Sequence, residues 1–236
     1  MTPETARSSD PRRAPLPDTA VLFCAGLDSA VLLALEAQTA KVHPIYVSTG
    51  LAWETEELAA VDRLLMDAVY RDVAAVTRLT FPVGDLYAPT HWAIRGEPPA
   101  FDTPDEDVYL VGRNITLLSK AGIHCAQRSI SRLALGPLAG NPFPDATPAF
   151  FTAMSAALST GLSHRIDIVA PLSTLHKRDV IRRGVELGVP LALTLSCMNP
   201  DGGRHCGRCS KCRERRDAFN GAGVDVPTAY ATAPIR

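Results

Sequence analysis

The chain has 236 residues, 46 % of them hydrophobic, which is enough for one sizeable domain with a proper core. Its 24 lysines and arginines nearly balance 25 aspartates and glutamates, and a net charge of −1 gives no pull toward nucleic acid or a membrane surface. No apolar run approaches the ~20 residues of a transmembrane helix.

Residues 1–18, rich in proline and charge and without an apolar signal core, read as a mobile tail. An apolar run at Thr19–Phe23 predicts a strand, and a glycine turn leads from it into a helix over Asp28–Ala37. Val42–Ser48 predicts a second strand. Glu54–Tyr70 predicts a long amphipathic helix with Leu58, Val61, Leu65 and Val69 on its apolar face. A third strand spans about Val76–Val83. Residues 84–107 hold four prolines and little periodicity, which predicts a loop or lid over the sheet edge. A helix follows over Ile115–Arg128, then a strand at Arg132–Leu135, a helix at Thr147–Ser159 and a strand at Ile166–Val169. A last helix, Lys177–Leu187, stops at Gly188 as its C-terminal glycine.

This alternation implies βαβ crossovers and a doubly wound, mostly parallel sheet with helices on both faces: a Rossmann-like α/β fold. Ligands in such sheets bind at the carboxyl ends of strands, near a switch in strand order. Residues 19–195 form the α/β domain on this reading, and residues 196–236 form a C-terminal segment packed on the same domain.

Cys197, Cys206, Cys209 and Cys212 make a C-x8-C-x2-C-x2-C array. Two residues between cysteines let both thiolates reach one ion, and four thiolates complete the tetrahedral sphere of structural zinc. His205 is an alternative ligand to Cys206. Four protein ligands leave no open position for substrate, so this zinc organises the fold. Only Cys24 and Cys125 remain outside the array, and unpaired thiols beside a thiolate metal site fit a reducing cytoplasm.

V-L-F-C-A-G-L-D-S-A places Cys24, Ala25, Gly26, Leu27, Asp28 and Ser29 between the first strand and first helix. Free N–H groups at a helix N-terminus, with the positive end of its dipole, suit a phosphate. Asp28 could hold magnesium, and the Ser29 hydroxyl could donate to a phosphate oxygen. On these residues alone an ordinary strand-to-helix turn, capped by Asp28 or Ser29, is an equal reading. The run Arg213, Arg215, Arg216 reads as a solvated face beside the zinc knuckle.

The turn resembles the S-G-G-x-D-S signature of the pyrophosphatase-loop ATPases, with Cys24 and Ala25 standing where that signature has Ser and its first Gly. The resemblance extends over most of residues 20–230 to one family of that superfamily, the 7-cyano-7-deazaguanine synthases of queuosine biosynthesis. It runs through V-G-R-N (111–114), F-P-D (143–145), I-V-A-P-L with H-K-R-D-V-I (168–181) and G-V-E-L-G-V-P (184–190). It is strongest in T-L-S-C followed by C-G-R-C-S-K-C-R-E-R-R-D-A-F (194–219). After the second strand the family's aromatic-Gly-Gln-Arg-His stretch is replaced by Ser48-Thr49-Gly50-Leu51-Ala52-Trp53-Glu54, so the chain is a divergent relative.

The resemblance implies an adenine-nucleotide alpha-hydrolase-like fold and an ATP-dependent carboxylate–amine ligase that releases AMP. Its substrates would be ATP, ammonia and the 7-deazapurine carboxylate 7-carboxy-7-deazaguanine, with Mg2+ at the phosphates and Zn2+ at the cysteines, in a cytoplasmic homodimer. In that scheme the turn from Cys24 to Ser29, with Gly112, Arg113 and Asn114, binds the nucleotide. Asp28, Ser29, Arg113 and Lys177 carry the chemistry, with Arg113 and Lys177 neutralising the leaving group. Asn114 and Asp145 are the expected readers of the deazapurine edge, against a plainer reading of each as a helix cap. The alternatives are a sibling enzyme adenylating another acid or a tRNA base, and a catalytically silent nucleotide-binding scaffold.

Overall fold

A computed structural model describes residues 17–225 and 228–232. The expected tail lies outside the described residues as far as residue 16, but Asp18, placed in that tail, already pairs with Lys41 at the start of the sheet. The strands are β1 (Asp18–Leu22), β2 (Lys41–Ser48), β3 (Thr77–Thr80), β4 (Arg132–Ala134) and β5 (Asp167–Val169). They form one sheet in the order β3-β2-β1-β4-β5, and all four pairings are parallel.

The order reverses between β1 and β4. From β1 the chain moves outward through α1 (Leu27–Glu36) to β2; from β4 it moves the other way through α5 (Pro148–Leu162) to β5. Residues beyond the carboxyl ends of β1 and β4 therefore face a crevice between diverging connections. Two buried cores cover the two faces. Val31 and Leu32 of α1, Val61 and Leu64 of α2 (Glu54–Leu65), Val180 and Ile181 of α6 (Lys177–Glu186) and Phe219 of α7 (Ser210–Ala222) pack on one. Leu118, Ala121 and Cys125 of α4 (Arg113–Gln127) and Phe151 of α5 pack on the other.

Three expectations need correction. The helix from Glu54 stops at Leu65, because the Asp67 side chain caps a separate 3-10 turn at Ala68–Tyr70 by accepting from Val69 N at 3.0 Å. Its buried face is also rotated: Glu54, Glu57, Ala60, Val61 and Leu64 are buried, whereas Leu58, Leu65 and Val69 are only partly covered. The lid segment is not all loop, since it contains the short helix α3 (Trp92–Arg95), capped by His91 Nδ1 accepting from Ala93 N.

Candidate functional site

The turn after β1 closes on itself. Ala25 has φ 58°, a left-handed value that an L-residue adopts at a cost, and its carbonyl accepts from Leu195 N at 2.9 Å. A methyl group at Gly26 would come within 3.3 Å of Cys24 Sγ, a tight contact that the cysteine would have to relieve by shifting. Ser29 Oγ donates to the Gly26 carbonyl at 3.1 Å and accepts from Cys24 N at 3.4 Å. The first-turn N–H groups of α1, at Leu27, Asp28 and Ser29, have no preceding helical carbonyl to bind and point out of the helix end. Burial pushes the Cys24 thiol up to about 11, so it is a neutral packing group, not a thiolate nucleophile.

Asp28 and Lys177 meet across this crevice. Lys177 opens α6, and its Nζ lies 2.8 Å from Asp28 Oδ2 and 2.8 Å from Glu214 Oε1. Glu214 also holds Lys211 Nζ at 2.7 Å, which gives an alternating chain of four charges from the turn to α7. Burial alone would lower the Lys177 ammonium, but the two carboxylates outweigh it and the net shift is upward. Burial likewise works to raise Glu214, and the two lysines overturn it, holding the carboxyl well below the usual range. Asp28 is raised by burial, with Lys177 offsetting only part of that. Its Oδ1 is buried without a hydrogen-bond partner, a position suited to a cation.

Across a cavity of about 390 Å3 from the turn stand Gly112, Arg113 and Asn114. Gly112, at φ 77°, occupies the N-cap position expected for Asn114, and Arg113 begins α4 with its side chain on the cavity wall. The two expected edge-readers are committed to each other. Asp145 Oδ2 accepts from Asn114 N at 2.9 Å, and Asn114 Nδ2 donates to the Asp145 carbonyl at 2.8 Å. Asp145 thus caps α4 from a distance, whereas α5, the helix it precedes in sequence, is capped by Thr147.

Sequence reasoning passed over the rest of the cavity wall. Glu57, 8 % exposed, accepts from the Tyr46 hydroxyl at 3.0 Å, and burial pushes its carboxyl up to about 7 despite the Arg113 charge nearby. Trp53 and Trp92 stack with centroids 5.8 Å apart and planes at 12°. Glu54 ties the turn after β2, accepting from Ser48 Oγ, Thr49 N, Thr49 Oγ1 and Gly50 N. Burial works against that carboxylate, and these donors nevertheless hold it below its ordinary value.

The four array cysteines converge. Their sulfurs all lie within 4.8 Å of one another, with 3.9 Å between Cys197 and Cys209, 3.8 Å between Cys206 and Cys212, and 3.5 Å between Cys209 and Cys212. Tetrahedral zinc with Zn–S bonds of ~2.3 Å requires sulfurs about 3.8 Å apart. Cys197 Sγ also accepts from Asn199 N and Cys206 N, bonds that favour a thiolate. His205 is not in this set, because its Nε2 accepts from Ser196 N at 3.1 Å. The expected solvated arginine face is overturned at Arg215, which is 1 % exposed. It donates to Thr194 Oγ1, Ser196 Oγ, the Leu191 carbonyl and Thr228 Oγ1.

Fold and site together define a Rossmann-like α/β protein with a glycine turn at its sheet switch point and a four-cysteine cluster whose geometry fits zinc. Among the described residues no helix is long and apolar enough to cross a membrane. The chain belongs to the family described as queuosine biosynthesis protein QueC, whose model matches residues 18–223. It is similar to the 7-cyano-7-deazaguanine synthase of Anaeromyxobacter dehalogenans (strain 2CP-C), 35 % identical over 235 residues, covering 95 % of this chain and 98 % of that one. The protein of the same name from Azoarcus sp. (strain BH72) is 35 % identical over 226 residues, covering 91 % and 97 %. That from Methanopyrus kandleri is 33 % identical over 229 residues, covering 90 % and 98 %.

Proposed function

We propose that the protein is an ATP-dependent ligase that converts 7-carboxy-7-deazaguanine and ammonia to 7-cyano-7-deazaguanine, releasing AMP. The single observation that carries this reading is the meeting of Asp28 and Lys177 at the switch point, with Asp28 Oδ1 buried and unpartnered. The family membership and the relatives' printed name support the product, 7-cyano-7-deazaguanine, and the carboxylate acceptor is what the resemblance implies.

In the first half-reaction an acceptor carboxylate oxygen attacks the α-phosphorus of ATP, pyrophosphate leaves, and ammonia then displaces AMP from the acyl carbon to give an amide. In the second the amide oxygen attacks the α-phosphorus of another ATP, pyrophosphate again leaves, and loss of AMP and a proton from the adenylated amide leaves the nitrile. Such chemistry needs positioning and charge stabilisation more than a protein nucleophile. The N–H groups from Leu27 to Ser29 hold phosphate oxygens at the helix end. Lys177 passes from the carboxylates to the departing pyrophosphate, and Arg113 faces the same charge with a fork suited to phosphate. Asp28 would hold magnesium, which would supply positive charge at the phosphates. The four cysteines hold zinc as a structural ion. We place the protein in the cytoplasm as a homodimer, by its resemblance and its reduced thiols.

The test is turnover of zinc-loaded protein with ATP, magnesium, ammonium and the deazaguanine acid, following AMP and nitrile mass together. Nitrile that disappears in Asp28→Asn supports both the reaction and its phosphate site. AMP without nitrile transfers the reading to another acceptor, and absence of both products with ATP binding also lost sinks the ligase.

A further inference from the structure

Four carboxylates wall the cavity beside the turn: Asp28, Glu57, Asp145 and Glu214. Three are already engaged by strong donors. Asp28 holds Lys177, Glu214 holds Lys177 and Lys211, and Asp145 accepts from the Asn114 backbone. Glu57 is engaged by neutral donors, the Tyr46 hydroxyl on Oε2 and the Trp53 side chain; the Arg113 charge acts on it from farther off, and among the described residues no lysine or arginine nitrogen comes within 4.0 Å of it. A carboxylate 8 % exposed without a cationic partner is costly, and hydrogen-bond donors on a molecule bound in the cavity would offset that cost.

The surroundings indicate what that is. Trp53 caps α2 one turn before Glu57, and its stack with Trp92 lines the same cavity. Ala52 N donates to the Ala93 carbonyl at 3.0 Å, which fixes α3 against the start of α2 and holds the two indoles together. An aromatic wall beside a carboxylate suits a planar heterocycle that presents donors along one edge. A guanine-type edge has two adjacent donors, the ring N–H and the exocyclic amino group, which match the two oxygens of a carboxylate. An adenine edge pairs one donor with one acceptor and opposes a lone pair to the second oxygen.

We propose that Glu57 selects the guanine-type ring of the acceptor, its two oxygens accepting the ring N–H and the exocyclic amino group while Trp53 and Trp92 pack against the ring. This rests on the reading above that the acceptor is a deazaguanine acid. Tyr46 positions the carboxylate from β2. The role expected of Asn114 and Asp145 passes to Glu57, since those two satisfy each other.

Calorimetry on the intact zinc-loaded protein, without ATP, would compare 7-carboxy-7-deazaguanine with its analogue lacking the 2-amino group. The wild type is expected to hold the guanine-type acid roughly tenfold or more tighter. In Glu57→Gln, which sets an amide against two donors, the two Kd values should converge within about twofold, through weakening of the guanine-type acid alone. Binding of a non-hydrolysable ATP analogue should be unchanged, which reports an intact fold. Equal affinities in the wild type, undiminished discrimination in Glu57→Gln, or no binding of either acid overturns the proposal. Nitrile formation in the same preparations is decided separately: turnover without discrimination sinks Glu57 and keeps the ligase, and discrimination without turnover does the reverse.

Discussion

Glu214 holds Lys177 at 2.8 Å, and through that lysine the helix of the cysteine cluster grips the turn after β1. Lys177→Met strands two largely buried carboxylates, those of Asp28 and Glu214. We expect a loss of about 3 kcal/mol at neutral pH, after allowance for side chains still 19–26 % exposed. Urea titrations at pH 7 and at progressively lower pH check it, and the loss should shrink toward acid, because burial raises Asp28 and removing Lys177 takes away the charge that opposes that rise.

Gly184→Ala normally favours a helix by about 1 kcal/mol. Here the added methyl would meet Val31 Cγ2 at 2.8 Å and Leu191 Cδ2 at 2.9 Å. Overpacking of that kind costs about 1–3 kcal/mol, so the expected sign is destabilising. Because α6 carries Lys177 and α1 carries Asp28, the KM for ATP should rise in the same variant. Thermal melts and ATP kinetics test the pair together.

Metal analysis should return one zinc per chain, lost in Cys212→Ser. Prolonged chelation should lower Tm and weaken ATP binding, since Lys211 and Glu214 ride on the helix that Cys209 caps. Undiminished ATP affinity in fully zinc-free protein would contradict the link.

Arg215→Lys keeps the charge and loses the fork. Four hydrogen bonds at 2.8–3.2 Å reach two segments of chain, Leu191 to Ser196 and Thr228, and an ammonium cannot span them. About 3 kcal/mol of stability should go, read from the urea midpoint.

Glu57 gives a signed pH dependence. Its carboxyl is raised by burial from an ordinary 4.5 to about 7, so the native state binds more protons than the unfolded chain between those values. Stability relative to Glu57→Gln should fall by about 3 kcal/mol as pH rises from 4.5 to 7.5, and then level off. Paired melts across that range test it, and a flat difference would count against the burial assigned to Glu57.

Strand–helix alternation made the parallel sheet legible, because buried β-branched runs and amphipathic helices differ in period. The cysteine convergence was legible from spacing alone. Glu57 was not, because E-T-E-E at the start of a helix has the pattern of a solvated acidic first turn. Only the packing of α2 over Tyr46 puts that edge inward. Arg215 and Glu214 were hidden in the same way, in a charged run whose burial depends on where α7 docks. Asp145 capping α4 across a long sequence gap has no local signature.

The backbone of Ala25 is tethered to Leu195, two residues ahead of the first metal-binding cysteine. If that tether transmits order from one site to the other, linkage requires it to act in both directions. Whatever factor the metal adds to nucleotide affinity, nucleotide must return to metal affinity. Saturating ATP would then raise the chelator concentration needed to strip zinc at equilibrium, and a cell poor in zinc but rich in ATP would keep more of this protein metallated than its free-state affinity implies.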